Sequence, residues 1–207
     1  MSEPTGAAAA AHWEQVYAEK GREDVSWYEE TPKTSARLIL ADGVPSSVAD
    51  VGAGASTLPD VLLGAGVEHV TLVDLSLSAL ALTQARLDHL ANRVDTVVGD
   101  VLAWTPDRVF DVWHDRAVFH FLTAASDRAT YVDVLRRALA PGGRVVIATF
   151  AEDGPEQCSG LPVCRYATED LAAELGEGFT LLHAERVEHT TPWGTVQPFN
   201  ALVLRRS

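Results

Sequence analysis

Four short apolar runs in this chain end on acids, glycines or basic residues at ordered intervals: V-A-D-V meets Gly52-Ala53-Gly54 just past Asp50, V-T-L-V closes on Asp74, T-V-V-G on Asp100, and F-D-V-W on His114-Asp115-Arg116. Gly52 can take backbone angles closed to other residues, and Gly54 lets a ligand approach the main chain. Asp74 lies roughly 20 residues past the turn, the spacing at which a carboxylate accepts hydrogen bonds from ribose hydroxyls. A helix beginning near Ser56 and Thr57 aims its free N–H groups at whatever lies over the turn. Each acid alone could equally be a helix cap or a solvated loop residue, and Asp74 precedes the capping Ser76. Both acids at the right spacing point to a nucleoside-like ligand.

These residues need a sheet to carry them. Apolar runs at Val48–Val51, Val70–Val73, Thr96–Val98, Phe110–Trp113 and Arg144–Phe150 alternate with helical patterns at Thr57–Leu63, Ser76–Leu90 and Asp127–Leu139. That rhythm predicts a parallel sheet covered on both faces. The tail breaks it: after a short helix at Glu169–Leu175, strands Phe179–His189 and Phe199–Arg205 are joined by a link too short for a crossover, so they pair antiparallel. The expected fold is α/β, a Rossmann-like doubly wound sheet of seven strands, mostly parallel with a C-terminal antiparallel hairpin. One domain spans 1–207: an N-terminal helical arm or lid (1–45), a ligand-binding core (46–150), and a C-terminal helix and hairpin (151–207). Gly154–Arg165 reads as a long loop, and Met1–Gly6 is expected to fray.

The arm carries helices at Ala7–Lys20 and Thr34–Ala41, with Trp13, Val16 and Tyr17 on one face of the first. Trp27 and Tyr28 then sit among acids in a loop; they close over a ligand or anchor the arm. A formal net charge of −13 argues against a nucleic-acid partner, which needs lysine and arginine on phosphates. No apolar run reaches a membrane span and no signal pattern opens the chain, so the expectation is a cytoplasmic protein without a membrane partner, monomeric or homodimeric. Cys158 and Cys164 are too few for a disulfide framework and lack Cys-x-x-Cys spacing, so no metal site is expected.

Taken in order, V-A-D-V-G-A-G-A, V-T-L-V-D-L-S, V-V-G-D-V-L, F-D-V-W-H-D-R-A and L-R-R-A-L-A-P-G-G-R-V-V-I resemble the class I S-adenosylmethionine-dependent methyltransferases over about Ser47–Phe150. The resemblance implies S-adenosylmethionine as cofactor. Gly52, Ala53 and Gly54, with Asp50 before them, would lie under its methionine part. Asp74 would hold the ribose hydroxyls, Leu75 would pack on adenine, Asp100 would accept from the adenine amino group, and Val101 would flank the ring. His114 and Asp115 would face the methionine end. The family often has a third glycine where Ala55 stands. H-W-E-Q-V-Y and V-S-W-Y-E-E-T-P are similar to the start of thiopurine and thiol S-methyltransferase-like proteins, which implies that Trp13 and Trp27 close over the cofactor; H-D-R-A resembles that group's D-R-G, which implies that Arg116 sits near the cofactor carboxylate. Trp-rich arms also occur in some protein-lysine methyltransferases.

Methyl transfer from a sulfonium is an in-line displacement, and a protein base is optional. A thiol of pKa about 8.5 needs little help; an amine must be neutral; a hydroxyl wants a base. His114 and His120 are the base candidates, since histidine alone titrates near neutrality unperturbed; against that, His114 also reads as a strand end and His120 as a hydrogen-bonded helix residue. The acceptor pocket is expected from Trp13, Trp27, Tyr28, Phe119, the Cys158–Tyr166 loop and Trp193. A small-molecule acceptor is expected, with a thiol favoured. Protein lysine, a non-catalytic S-adenosylmethionine-binding protein and a small dehydrogenase stay open; Thr57 at the third fingerprint position weakens the last.

Overall fold

The computed structural model describes residues 6–207, so the stretch expected to fray lies outside the described residues except for Gly6. The chain opens with α1 (Ala7–Glu19) and α2 (Lys33–Leu40), then alternates through β1 (Ser47–Val51), α3 (Leu58–Gly64), β2 (His69–Asp74), α4 (Leu77–Arg86), β3 (Val94–Val98), β4 (Phe110–Arg116), α5 (Ala125–Ala138) and β5 (Leu139–Phe150). It ends with β6 (Gln157–Cys158), β7 (Leu161–Pro162), α6 (Thr168–Leu175), β8 (Phe179–Thr190) and β9 (Val196–Arg206). Short 3-10 helices lie at Asp88–Arg93, Val101–Ala103 and Phe119–Phe121.

Seven strands form one sheet in the order β3-β2-β1-β4-β5-β9-β8. β3 through β5 run parallel, while β9 and β8 are antiparallel. The order reverses between β1 and β4, which opens a crevice above the carboxyl ends of those strands. Val48, Ala49 and Val51 are buried on both faces of β1, as a central parallel strand requires. One apolar layer joins Val51 and Trp113 to Tyr131 and Leu135 of α5 and Leu171 of α6. The other joins Val48 and Val112 to Leu38 of α2, Leu62 of α3 and Leu80 of α4.

Two details depart from the sequence expectation. The helix foreseen to Leu90 stops at Arg86, because Leu87 turns into the core and the chain tightens into the 3-10 turn. The loop foreseen at Gly154–Arg165 contains the hairpin β6–β7, turned by Ser159 and Gly160, both with positive φ. Among the described residues, no helix is long and apolar enough to cross a membrane.

Candidate active site

The floor of the crevice is the glycine turn. The N–H groups of Gly52 and Ala53 both donate to the Val73 carbonyl, at 2.8 and 3.2 Å, which locks the turn onto β2. Gly52 (φ 67°) and Gly54 (φ 53°) are left-handed, and a Cβ on either would collide, with Val118 over Gly52 and with the Tyr17 hydroxyl over Gly54.

Asp74, at the tip of β2, accepts the Gly54 N–H on Oδ2 and the Ser76 N–H on Oδ1, each at 2.8 Å. Ser76 in turn caps α4 by accepting from the Ala79 N–H at 3.1 Å. Asp74 therefore ties the turn to the entry of α4 and also lines the cavity above. Burial pushes its carboxyl up to about 6, against the pull of those two N–H groups. Asp100, after β3, accepts the Leu102 N–H at 2.9 Å and lines the cavity beside Leu75 and Val101.

Alternation along β4 sends its last three residues to different places. His114 is buried beside its register partner Asp50, with Nδ1 2.7 Å from the Asp50 carboxylate and Nε2 2.9 Å from the Ser35 hydroxyl. Both ring nitrogens are thus engaged. Asp115 points to the opposite face, where it accepts the Val118 and Phe119 N–H groups at 2.9 and 3.1 Å and the Tyr131 hydroxyl. It does not line the cavity, so the expected place at the methionine end is corrected: Asp115 braces the turn after β4. Its complete burial raises it to about 6. Arg116 returns to the cavity side. Its Nη1 donates to the Trp27 carbonyl at 3.1 Å and its Nε lies 3.4 Å from Glu29, while the buried Nη2 has no partner.

His120 lies away from the cavity as well. It is packed between Phe121 and Phe150, at ring-centroid distances of 4.6 and 4.8 Å, and its Nε2 is buried without a partner. Burial, helped by the Arg116 charge, pushes the ring down to about 3. His120 touches no ligand space, and so weak a base accepts a proton poorly, which speaks against it as a general base. The cause is local: the 3-10 turn Phe119–Phe121 folds the histidine inward between aromatics.

The roof comes from the arm. Trp13 of α1 meets Trp27 edge-on at 5.6 Å and Phe121 at 5.2 Å. Tyr17, one turn further on, accepts from the Trp27 indole N–H at 3.3 Å and sits over Gly54. Glu14 fastens α1 to the start of α4: it accepts the Ser76 hydroxyl at 2.7 Å and the hydroxyl and N–H of Ser78. Those bonds hold its carboxyl below the usual range. Sequence reasoning placed Tyr17 on the right face of α1 but gave it no site role, and it passed over Glu14. The helical period shows a face but not its partner.

Turn, strand tips and roof enclose a cavity of about 270 Å³ that brings together Trp13, Trp27, Gly52, Asp74, Asp100 and Arg116. A smaller space of about 60 Å³ opens off the same turn beside Ala53, Asp50, His114 and Ser35, and shares Gly52, Trp27 and Arg116 with the first. Asp50 Oδ2 is buried there without a partner. Of the expected acceptor-side residues, Cys158 lines the main cavity, Tyr28 lines the smaller space, Phe119 is buried beneath, and Trp193 is exposed on the β8–β9 hairpin. Burial raises the Cys158 thiol to about 11. Among the described residues no group of three or more His, Cys, Asp or Glu side chains could hold a metal ion.

The fold and this cavity define an α/β domain with a ligand-sized crevice at its strand tips. Comparison with known proteins says which. Residues 48–143 match the family described as "Methyltransferase domain". The 1,6-didemethyltoxoflavin-N1-methyltransferase of Burkholderia thailandensis, solved with 1,6-didemethyltoxoflavin and S-adenosylhomocysteine, superposes with a TM-score of 0.76 at 25% identity, covering 100% of this chain and 93% of that one. The N-methyltransferase NodS of Bradyrhizobium japonicum WM9, solved with S-adenosyl-L-homocysteine, gives a TM-score of 0.74 at 17% identity over 93% of this chain and 97% of that one. Nodulation protein S of Rhizobium tropici is 28% identical over 112 residues, 54% of this chain and 46% of the relative, so the match spans about half of that protein's length. Over residues 48–143 the chain matches a methyltransferase domain, and it shares its fold with methyltransferases solved with S-adenosylhomocysteine. The likeness of its arm to thiol S-methyltransferases finds no support in the two solved relatives, whose names describe N-methyltransferases.

Proposed function

We propose that this protein transfers a methyl group from S-adenosylmethionine to a nitrogen of a small molecule. One observation carries the reading: two strand-tip carboxylates and an unpartnered arginine nitrogen converge on a single roofed cavity above the glycine turn. The residues fit each part of the cofactor. Asp74 keeps lone pairs for ribose hydroxyls after binding Gly54 and Ser76. Asp100 is placed for the adenine amino group, with Leu75 and Val101 as apolar flanks. The orphaned Nη2 of Arg116 and Oδ2 of Asp50 suit the carboxylate and ammonium of an amino-acid tail, one charge each.

When bound, the cofactor supplies a methyl carbon already activated by its sulfonium. The chain's own residues then bind, orient and exclude water. Alignment of nucleophile and methyl can lower the barrier by about 7–11 kcal/mol. No histidine lines the main cavity, which favours an acceptor whose attacking lone pair is free without deprotonation by an imidazole. A nitrogen that is neutral at working pH does so. The thiol favoured from sequence rested on the Trp arm and on Asp115-Arg116, and Asp115 faces the other way; the names of the relatives favour nitrogen. Protein lysine is disfavoured because the arm roofs the space a peptide would need.

The test is incubation with methyl-labelled S-adenosylmethionine and parallel panels of amines and N-heterocycles, thiols, and cell protein. Label on nitrogen of a small molecule, with release of S-adenosylhomocysteine, is the expected result. Label confined to thiols or to the protein fraction would overturn the reading, as would absence of cofactor binding by calorimetry.

A further inference from the structure

Beyond the adenosine-facing residues, the cavity has a second wall, where the arm that roofs the cofactor space meets Phe121 and the β6–β7 hairpin. Trp13 is met edge-on by Trp27 and by Phe121, at interplanar angles of 78° and 76°. Rings set at right angles make a corner with flat faces, the geometry aromatic pairs prefer and a planar guest extends. The hairpin β6–β7 supplies Cys158 and Leu161 to the same cavity. The Cys158 thiol is protonated and neutral there. Arg116, whose Nε faces Glu29, is committed through Nη2 to the cofactor carboxylate in the reading above. The remaining carboxylate of the lining is Asp127, half-buried in the first turn of α5.

From this arrangement, and resting on the reading above, we infer that the acceptor is an uncharged planar N-heteroaromatic compound, held between the Trp13–Phe121 corner and the hairpin residues Cys158 and Leu161. Burying an anion against these groups would cost its hydration without a partner charge to replace it, and a cation would find Asp127 alone beyond the adenosine-facing acids. A flat neutral ring loses no such hydration and gains stacking and apolar contact. The hairpin then sets specificity: Leu161, half-buried next to the Ser159-Gly160 turn, is where size selection falls.

The experiment uses the full chain saturated with S-adenosylhomocysteine, titrated with lumazine as neutral bicyclic heteroaromatic, spermidine as polycation and glutathione as thiol, followed by tryptophan fluorescence and calorimetry. Saturable quenching by lumazine alone is expected. Leu161→Trp should weaken lumazine by about tenfold or more, since pocket size differences act on that scale, and leave the affinity for S-adenosylhomocysteine unchanged. Preference for spermidine or glutathione, no saturable response to lumazine, or an unaltered lumazine affinity in Leu161→Trp would each overturn the inference while S-adenosylhomocysteine still binds. Failure of S-adenosylhomocysteine itself to bind would overturn the cofactor reading underneath, which is a separate and recognisable outcome.

Discussion

Replacing Asp74 by asparagine is the most direct probe of the cofactor site. The carboxylate now takes one backbone N–H on each oxygen, from Gly54 and from Ser76, both at 2.8 Å. An asparagine keeps one acceptor oxygen and turns an NH₂ toward one of those donors, so it loses both a charge and a hydrogen bond. Bonds to a charged group contribute about 1.5–3 kcal/mol, so the dissociation constant of S-adenosylhomocysteine should rise about tenfold to about 150-fold at pH 7.5. The pH dependence gives a second, independent reading. In the free protein Asp74 titrates at about 6. Hydroxyl donors favour the ionised form, so binding lowers that value and releases a proton wherever the free carboxyl is protonated. Affinity should therefore be level above pH 6 and fall about tenfold per unit below it, until the carboxyl of the complex itself takes up a proton. In Asp74→Asn that slope should vanish. Calorimetry at pH 5.0, 6.0 and 7.5 measures both effects. An unaltered constant at pH 7.5 together with a flat wild-type profile would refute the role given to Asp74.

Other outcomes follow from the same contacts. Glu14→Ala removes the clamp of α1 on Ser76 and Ser78; the arm should open more often, seen as faster hydrogen exchange over 7–28 and faster release of S-adenosylhomocysteine in stopped flow. Trp27→Ala should also speed release, because it deletes the partner of both Trp13 and Tyr17. Asp115 is raised from 3.8 to about 6, so its contribution to stability is full below about 3.8 and is lost as pH rises through about 6, a difference of about 3 kcal/mol; urea midpoints between pH 4.5 and 7 should show a slope in the wild type that Asp115→Asn lowers by about half, the rest belonging to Asp74. His120→Phe should keep turnover and an unshifted pH–rate profile, which a catalytic histidine would not.

Much of the sheet was legible because its signals are local. Buried parallel strands read as apolar runs, and Gly52, Asp74 and Asp100 sit where each run stops. The short link from Thr190 to Pro198 was enough to foresee an antiparallel hairpin. The hairpin β6–β7 was missed because each strand has two residues, too few for any period to show, although Ser159-Gly160 is a turn dipeptide. The clamp by Glu14 was out of reach for a different reason. Its partners lie 62 and 64 residues away, and nothing in the helix A-A-A-A-A-H-W-E names the serines it will meet.

The strand end H-D-R shows where sequence reading stops and geometry takes over. Three polar residues in a row look like one constellation, yet a strand sends neighbours to opposite faces. His114 and Arg116 share a face and differ in what they meet. His114 is closed off by Asp50 and Ser35 at 2.7 and 2.9 Å, whereas Arg116 keeps one nitrogen unpartnered. Asp115, between them, leaves for the α5 side. On the proposed reading, a site assembled this way holds charge complements for the ends of a cofactor and offers the acceptor no histidine. Catalysis would then rest on alignment and exclusion of water, and the rate should respond to the Trp13–Phe121 corner and the Glu14 clamp more than to any histidine.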